Sequence, residues 1–241
     1  MRKQLKLMKK TLLLVANMLV MITFLHAQTA DDIINKYIDA MGGKDKLAAL
    51  KTLYLEGSID ASGQKLSIKT WFINKKAMRS EVGINGMTIY SVVTKDSGWS
   101  FNPLMGQKEA EPMTPDQVKS AQTEFDIEGT LVNYKDKGYK VNYEGKDDVD
   151  GTEAYKLEEI INDSLSTTFY IDPDTYYILR ASDKAKVNGK QVEGKTDFSN
   201  YQKTPEGYTI PMDINSDGGE MKFTIVKINT DFDKALFTYL K

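Results

Sequence analysis

Apolar side chains recur along this chain with two different periods, and the change between them divides it into elements. From Thr29 to Met41 the apolar positions Ile33, Ile34, Tyr37, Ile38 and Met41 share one stripe at helical spacing. Thr29 with Asp32 three residues on is a capping-box signature, and Gly42-Gly43 supplies a left-handed stop. A short second helix is expected over Asp45 to Leu50. From Thr52 the period falls to two. Leu53, Leu55 and Ile59 alternate with Tyr54, Glu56 and Ser58. Leu66, Ile68 and Phe72 share a face in the next run, and Met87, Ile89 and Val93 in the one after. Ser62-Gly63 and Asn85-Gly86 are hairpin-turn dipeptides between these runs, so the segment reads as an antiparallel meander.

Pro103, Gly106, Pro112 and Pro115 break the alternation between Asn102 and Thr114. Thr114-Pro115-Asp116-Gln117 is a second capping box, with proline at the first helical position, and predicts a helical stretch to about Lys135 interrupted near Gly129. Strand periodicity returns at Tyr139. It is punctuated by Asp150-Gly151, Asn162-Asp163, Asp172-Pro173-Asp174, Asn188-Gly189, Pro205-Glu206-Gly207 and Gly218-Gly219. Short strands separated by such turns predict one large, mostly sequential antiparallel sheet, an α+β fold in a single domain over residues 28–241.

The first 27 residues carry a different pattern. Arg2, Lys3, Lys6, Lys9 and Lys10 precede an apolar run from Thr11 to Leu25, which ends in Leu25-His26-Ala27-Gln28. This is the layout of a cleaved secretory signal peptide, and the apolar run is shorter than the roughly 20 residues that span a bilayer. The expected location is therefore a bacterial periplasm. The whole chain has 32 basic and 34 acidic side chains, a net charge of −2. Cleavage after Ala27 leaves 27 basic against 34 acidic groups, a net charge of −7. That balance argues against a nucleic-acid partner.

Composition also removes much chemistry. The chain has no cysteine, and its single histidine is His26. Residues 28–241 therefore contain no Ser-His or Cys-His nucleophile, no disulfide and no ordinary zinc site. Two arginines, Arg79 and Arg180, stand against 25 lysines, a poor supply of bidentate anion clamps. Lys146 to Gly151 has part of a calcium-loop spacing, but Lys146 falls on the first ligand position and Leu157 on the last, so a hairpin turn is the better reading. Glu158-Glu159 point to opposite faces of a strand, and Asp172-Pro173-Asp174 is turn chemistry, so neither pair forms a catalytic dyad. No enzyme activity, cofactor or metal is expected.

What remains is apolar. Leu53, Leu55, Leu66, Ile68, Phe72, Met87, Ile89, Phe169, Ile171, Phe223 and Ile225 form one apolar row that something must cover. Helices covering it completely make it plain core. A sheet that curls and leaves part of the face open makes it a site for an apolar ligand. Trp99, Phe101, Leu104 and Met105 lie in or beside the proline-broken loop, where they are expected to form a lid.

Tyr155-Lys156-Leu157, Phe169 to Thr175, Phe198-Ser199-Asn200-Tyr201, Gly207 to Pro211, Ile225 to Asn229 and Ala235-Leu236-Phe237 follow one another in an order that resembles the LolA/LolB-type outer-membrane lipoprotein carriers. The divergent lipoprotein-sorting branch found in Bacteroidetes-like bacteria is the most similar; the opening helix ending in Gly-Gly and the Gly98-Trp99 loop with Pro103 fit it too. The resemblance implies an incomplete, strongly curved half-barrel with helices across its open side and a cavity that receives acyl chains. The region where such carriers hold their lid with an arginine reads Asn74 to Arg79 here, without the usual proline. The expected protein is thus a monomeric carrier of lipid or lipoprotein acyl chains, with envelope membrane proteins as further partners. Its cavity would be lined by Leu55, Ile68, Phe72, Met87, Ile89, Phe169 and Phe223 under the Trp99–Met105 lid. The rival reading is an envelope protein-interaction domain of the same fold whose cavity is filled.

Overall fold

A computed structural model describes residues 28–61, 63–187 and 190–239. Residues 1–27, which the sequence reads as a signal peptide, lie outside the described residues, as do 62, 188–189 and 240–241. Two helices open the chain, α1 (Ala30–Ala40) and α2 (Lys44–Ala48). The capping box forms as the sequence predicts: Asp32 N–H donates to Thr29 Oγ1 at 3.2 Å, and Thr29 N–H donates to Asp32 Oδ2 at 3.1 Å. Gly42 and Gly43 take φ of 126° and 94°, which reverses the chain toward the first strand.

Thirteen strands then form one sheet. The first six are β1 (Thr52–Ala61), β2 (Gln64–Ile73), β3 (Ala77–Ile84), β4 (Met87–Thr94), β5 (Gly98–Phe101) and β6 (Glu111–Pro112). The other seven are β7 (Lys140–Val149), β8 (Thr152–Asn162), β9 (Leu165–Ile171), β10 (Ile178–Val187), β11 (Lys190–Lys203), β12 (Thr209–Ser216) and β13 (Gly219–Ile228). Every pairing is antiparallel and joins strands adjacent in sequence, except one. That exception is the seam between β1 and β13, which welds the two halves together. The sheet does not close, because β6 and β7 are its two edges. Residues 113–139 carry the chain from one edge to the other.

That crossing segment departs from the sequence prediction. A helix, α3 (Pro115–Ala121), starts on its Thr114–Gln117 capping box but does not run to Lys135. A 3-10 turn follows over Gln122–Phe125, and then irregular turns with Gly129 at φ 92° and Asn133 at φ 53°. Each left-handed residue breaks helical propagation.

The strand register assigns the faces. Leu53 and Leu55 pair with Phe72 and Thr70 on one side of β1 and with Ile228 and Val226 on the other, so these side chains share the inner face. A bulge at Glu56/Gly57 then shifts the register, so that Gly57 pairs with Phe223. The extra residue in β13 puts both Phe223 and Val226 inside and turns Ile225 outward, where it is 41% exposed. Ile225 therefore does not belong to the apolar row expected from the sequence. On this inner face α1 packs Ile33, Ile34, Tyr37 and Ile38 against Leu157 and Ile171 of the sheet and Leu131 and Val132 of the crossing segment. At the other half of the sheet α3 packs Val118 over Met78 and Val93.

Candidate functional site

Between these two covered regions the inner face is not filled. A cavity of about 430 Å³ lies there, floored by Leu53 and Leu55 of β1, Phe169 of β9, Ile178 and Ala181 of β10, Phe198 of β11 and Ile210 and Ile214 of β12. Its cover comes from Tyr37 and Met41 of the α1 end, Leu47 and Leu50 of the α2 region, and residues 126–131. The volume lies within the roughly 300–1,000 Å³ of small-molecule sites.

Local chemistry holds the cover in place. Thr209 N–H donates to the Met41 carbonyl at 3.1 Å and Tyr208 Oη donates to the Lys46 carbonyl at 3.0 Å, tying the helices to β12. Glu128, which is buried, accepts from Asn74 Nδ2 at 2.7 Å and Lys75 Nζ at 2.9 Å, tying the crossing segment to the β2–β3 turn. On the outer side of α1, Asp31 accepts from Tyr134 Oη at 2.8 Å and Lys135 Nζ at 2.7 Å. The Lys135 and Tyr134 hydrogen bonds hold the Asp31 carboxyl below its usual range.

The wall nearest residues 126–130 is polar. Thr167 Oγ1 donates to Asp183 Oδ1 at 2.6 Å, and both residues line the cavity. Asp126 pairs with Lys137, whose Nζ also donates to the Gly129 carbonyl at 2.8 Å. Asp126 Oδ1 is buried without a hydrogen bond. Behind Thr167, Glu159 pairs with it across β8 and β9 and has no solvent exposure. Desolvation pushes the Glu159 carboxyl above its usual value, with the nearby Thr130 hydroxyl and Lys137 ammonium offsetting this in part. The Tyr37 phenol, buried and facing the charges of Glu159 and Asp126, is pushed up to about 12. Tyr201 donates its hydroxyl to the Ile178 carbonyl at 2.7 Å, and burial raises its pKa as well.

The residues expected to line a site divide into three groups. Leu55 and Phe169 line the cavity. Ile68, Phe72 and Phe223 share its face on neighbouring strands, in the apolar packing beside it, and Met87 and Ile89 lie on the same face two strands further on. The expected lid lies elsewhere. Gly98 and Ser100 pair with the inward Val93 and Ser91, so alternation turns Trp99 and Phe101 to the outer face. There Trp99 packs edge-on against Tyr239 with ring centroids 5.5 Å apart, and Phe101 packs against Tyr90. Leu104 and Met105 project into solvent, 52% and 78% exposed. The cover is built instead by α1 and α2, helices across the open side as the resemblance implies, and by residues 126–131, none of which sequence reasoning names as site residues. The apolar stripe of α1 is the available signal; the irregular segment offers none.

No protein-family model matches the sequence, and no curated protein matches it either. Solved structures do match in shape. A DUF1329 family protein from Desulfovibrio piger is 16% identical with a TM-score of 0.56, over 88% of this chain and 98% of that one. A putative outer membrane lipoprotein-sorting protein domain from Vibrio parahaemolyticus is 13% identical with a TM-score of 0.54, over 86% and 94%. A LolA superfamily protein from Nitrosomonas europaea is likewise 13% identical with a TM-score of 0.54, over 88% and 98%. With its unclosed antiparallel sheet and few helices, this chain has the LolA-like open half-barrel fold.

Proposed function

We propose that the protein is a periplasmic carrier that takes lipid or lipoprotein acyl chains into the half-barrel and performs no chemical step on them. The observation that carries this reading is the 430 Å³ apolar cavity between the inner sheet face and a cover of separate elements. The similarity in fold to a putative lipoprotein-sorting domain and to a LolA superfamily protein supports it. Residues 1–27 serve as the cleaved signal peptide in this reading, and the mature chain works as a monomer that meets envelope membrane proteins to load and unload. Among the described residues no helix is long and apolar enough to cross a membrane.

The physical mechanism follows from the cover. Opening it exposes apolar surface at about 25 cal/mol per Å², and an acyl chain relieves that cost by occupying the cavity. The polar ties across the outer side of α1 are weak, because Lys135 and Asp31 are more than half exposed and such pairs contribute about 0–1 kcal/mol. Release needs a partner that competes for the chain or favours the closed cover. The test is native mass spectrometry of protein purified from its own periplasm, paired with binding of the neutral fluorophore N-phenylnaphthylamine. Co-purified lipid mass and saturable fluorescence are expected. A bare polypeptide mass with no fluorophore binding would overturn the carrier and favour a filled interaction domain.

A further inference from the structure

The cavity has a chemical polarity that the carrier reading does not use. Three carboxylates, Asp126, Glu128 and Asp183, are among its lining residues, and no lysine or arginine is. The nearest cations are already engaged, Lys137 with Asp126 and Lys75 with Glu128. Two of the donors at this wall are engaged. The Thr167 hydroxyl is given to Asp183, and the Lys137 ammonium reaches two backbone carbonyls besides its carboxylate. An acceptor remains in excess: Asp126 Oδ1 on the wall is buried without a hydrogen bond, and the Glu159 carboxyl lies one cross-strand step behind Thr167 with no solvent exposure. Buried acceptors without donors are rare in folded proteins and mark a place where a donor is missing.

Resting on the carrier reading, we propose that the cavity selects amphiphiles whose head donates hydrogen bonds from nitrogen and carries no net negative charge, a primary ammonium or an amide N–H, with the alkyl chain lying along Leu53, Leu55 and Phe169. A nitrogen head at the Asp126–Asp183 wall gains the buried Asp126 Oδ1, which accepts no other hydrogen bond. A carboxylate or phosphate head there would bring a further anion to a wall whose charged lining residues are all acids, and like charges repel. The free fatty acid, the simplest acyl ligand, is therefore a poor occupant, whereas an acyl chain presented through an amide is a good one.

The test is displacement of N-phenylnaphthylamine from the full mature protein at pH 7.5 by three amphiphiles of equal chain length: dodecylamine, dodecanamide and dodecanoate. The nitrogen-headed pair is expected to displace the probe at concentrations roughly tenfold below dodecanoate, the size of a like-charge repulsion across about 12 Å at an effective dielectric of about 20. Dodecylamine ahead of dodecanamide assigns the preference to charge, and parity assigns it to hydrogen bonding. Asp183→Asn, at a side chain exposed enough to spare the fold, should narrow the gap, as should the isosteric Glu159→Gln. Dodecanoate matching or beating both heads overturns the head-group preference and leaves the carrier intact. A gap that neither variant narrows overturns its assignment to these carboxylates. Failure of all three to displace a bound probe overturns the carrier reading with it.

Discussion

Glu159 sits on β8 with no exposure, and burial of that kind favours its protonated form. Its folded-state pKa lies above the usual 4.5, so between the two values the folded protein holds more protons than the unfolded chain. Stability from this group is therefore greatest below about pH 4.5, falls as pH rises through the folded pKa, and stays lowered above it. Glu159→Gln removes the titration. Urea unfolding should place the variant about 1–3 kcal/mol above the parent at pH 8, the usual cost of an unsatisfied buried polar group, and close to it at pH 4. A second contrast at this scale separates cavity wall from core. Leu157 is fully buried, and its replacement by Ala should cost about 2–5 kcal/mol. Phe169 faces existing space and gives up fewer contacts, so Phe169→Ala should cost about 1–2 kcal/mol while changing probe affinity strongly. Equal losses of stability in the two variants would mean that the wall is sealed core.

Elements written in local code are legible in the sequence itself. Both capping boxes form, and Asp172 folds its turn by accepting from Asp174 N–H at 2.9 Å and Thr175 N–H at 2.7 Å. Thr29→Ala removes one such cap and should lower stability by about 1 kcal/mol in chemical denaturation. What the sequence hides depends on distant partners. Nothing near Phe223 announces the extra residue that turns Ile225 outward, because the bulge exists only in the pairing of β13 with β1, some 170 positions away in sequence. The face of Trp99 is likewise set by the register of β5 on β4, and the cover over the cavity by turns at Gly129 and Asn133 that have no period. The bulge can be tested through Gly57. A Cβ there would meet the Lys222 carbonyl oxygen and lie 2.7 Å from Phe223 Cα, both backbone. Gly57→Ala should cost about 1–3 kcal/mol or more, with amide exchange rising in β1 and β13 before it rises in β7 to β9.

For the molecule as a whole, the arrangement is two runs of hairpins joined at one seam. Within β1–β6 and within β7–β13 every strand pairs with its sequence neighbour, and only β1 with β13 crosses between the runs. The cavity floor straddles that seam, with Leu53 and Leu55 on one side and Ile210 and Ile214 close by on the other. Ending the chain at Asp217 deletes β13 and should leave no cooperative unfolding transition by calorimetry and no protection from protease. A truncated chain that still melts as a unit would show that the runs are independent domains.

The seam also fixes a point in time. Its second strand is the last of the thirteen, so ribosomal synthesis delivers every local hairpin but β12–β13 before it delivers the residues that join the runs. Until Gly219–Ile228 emerges, β1 presents an unpaired edge and the two parts of the future cavity floor are not joined. A nascent chain in that condition has its hairpins but no joined sheet, and the arrival of Gly219–Ile228 is the event that turns two separate runs into one.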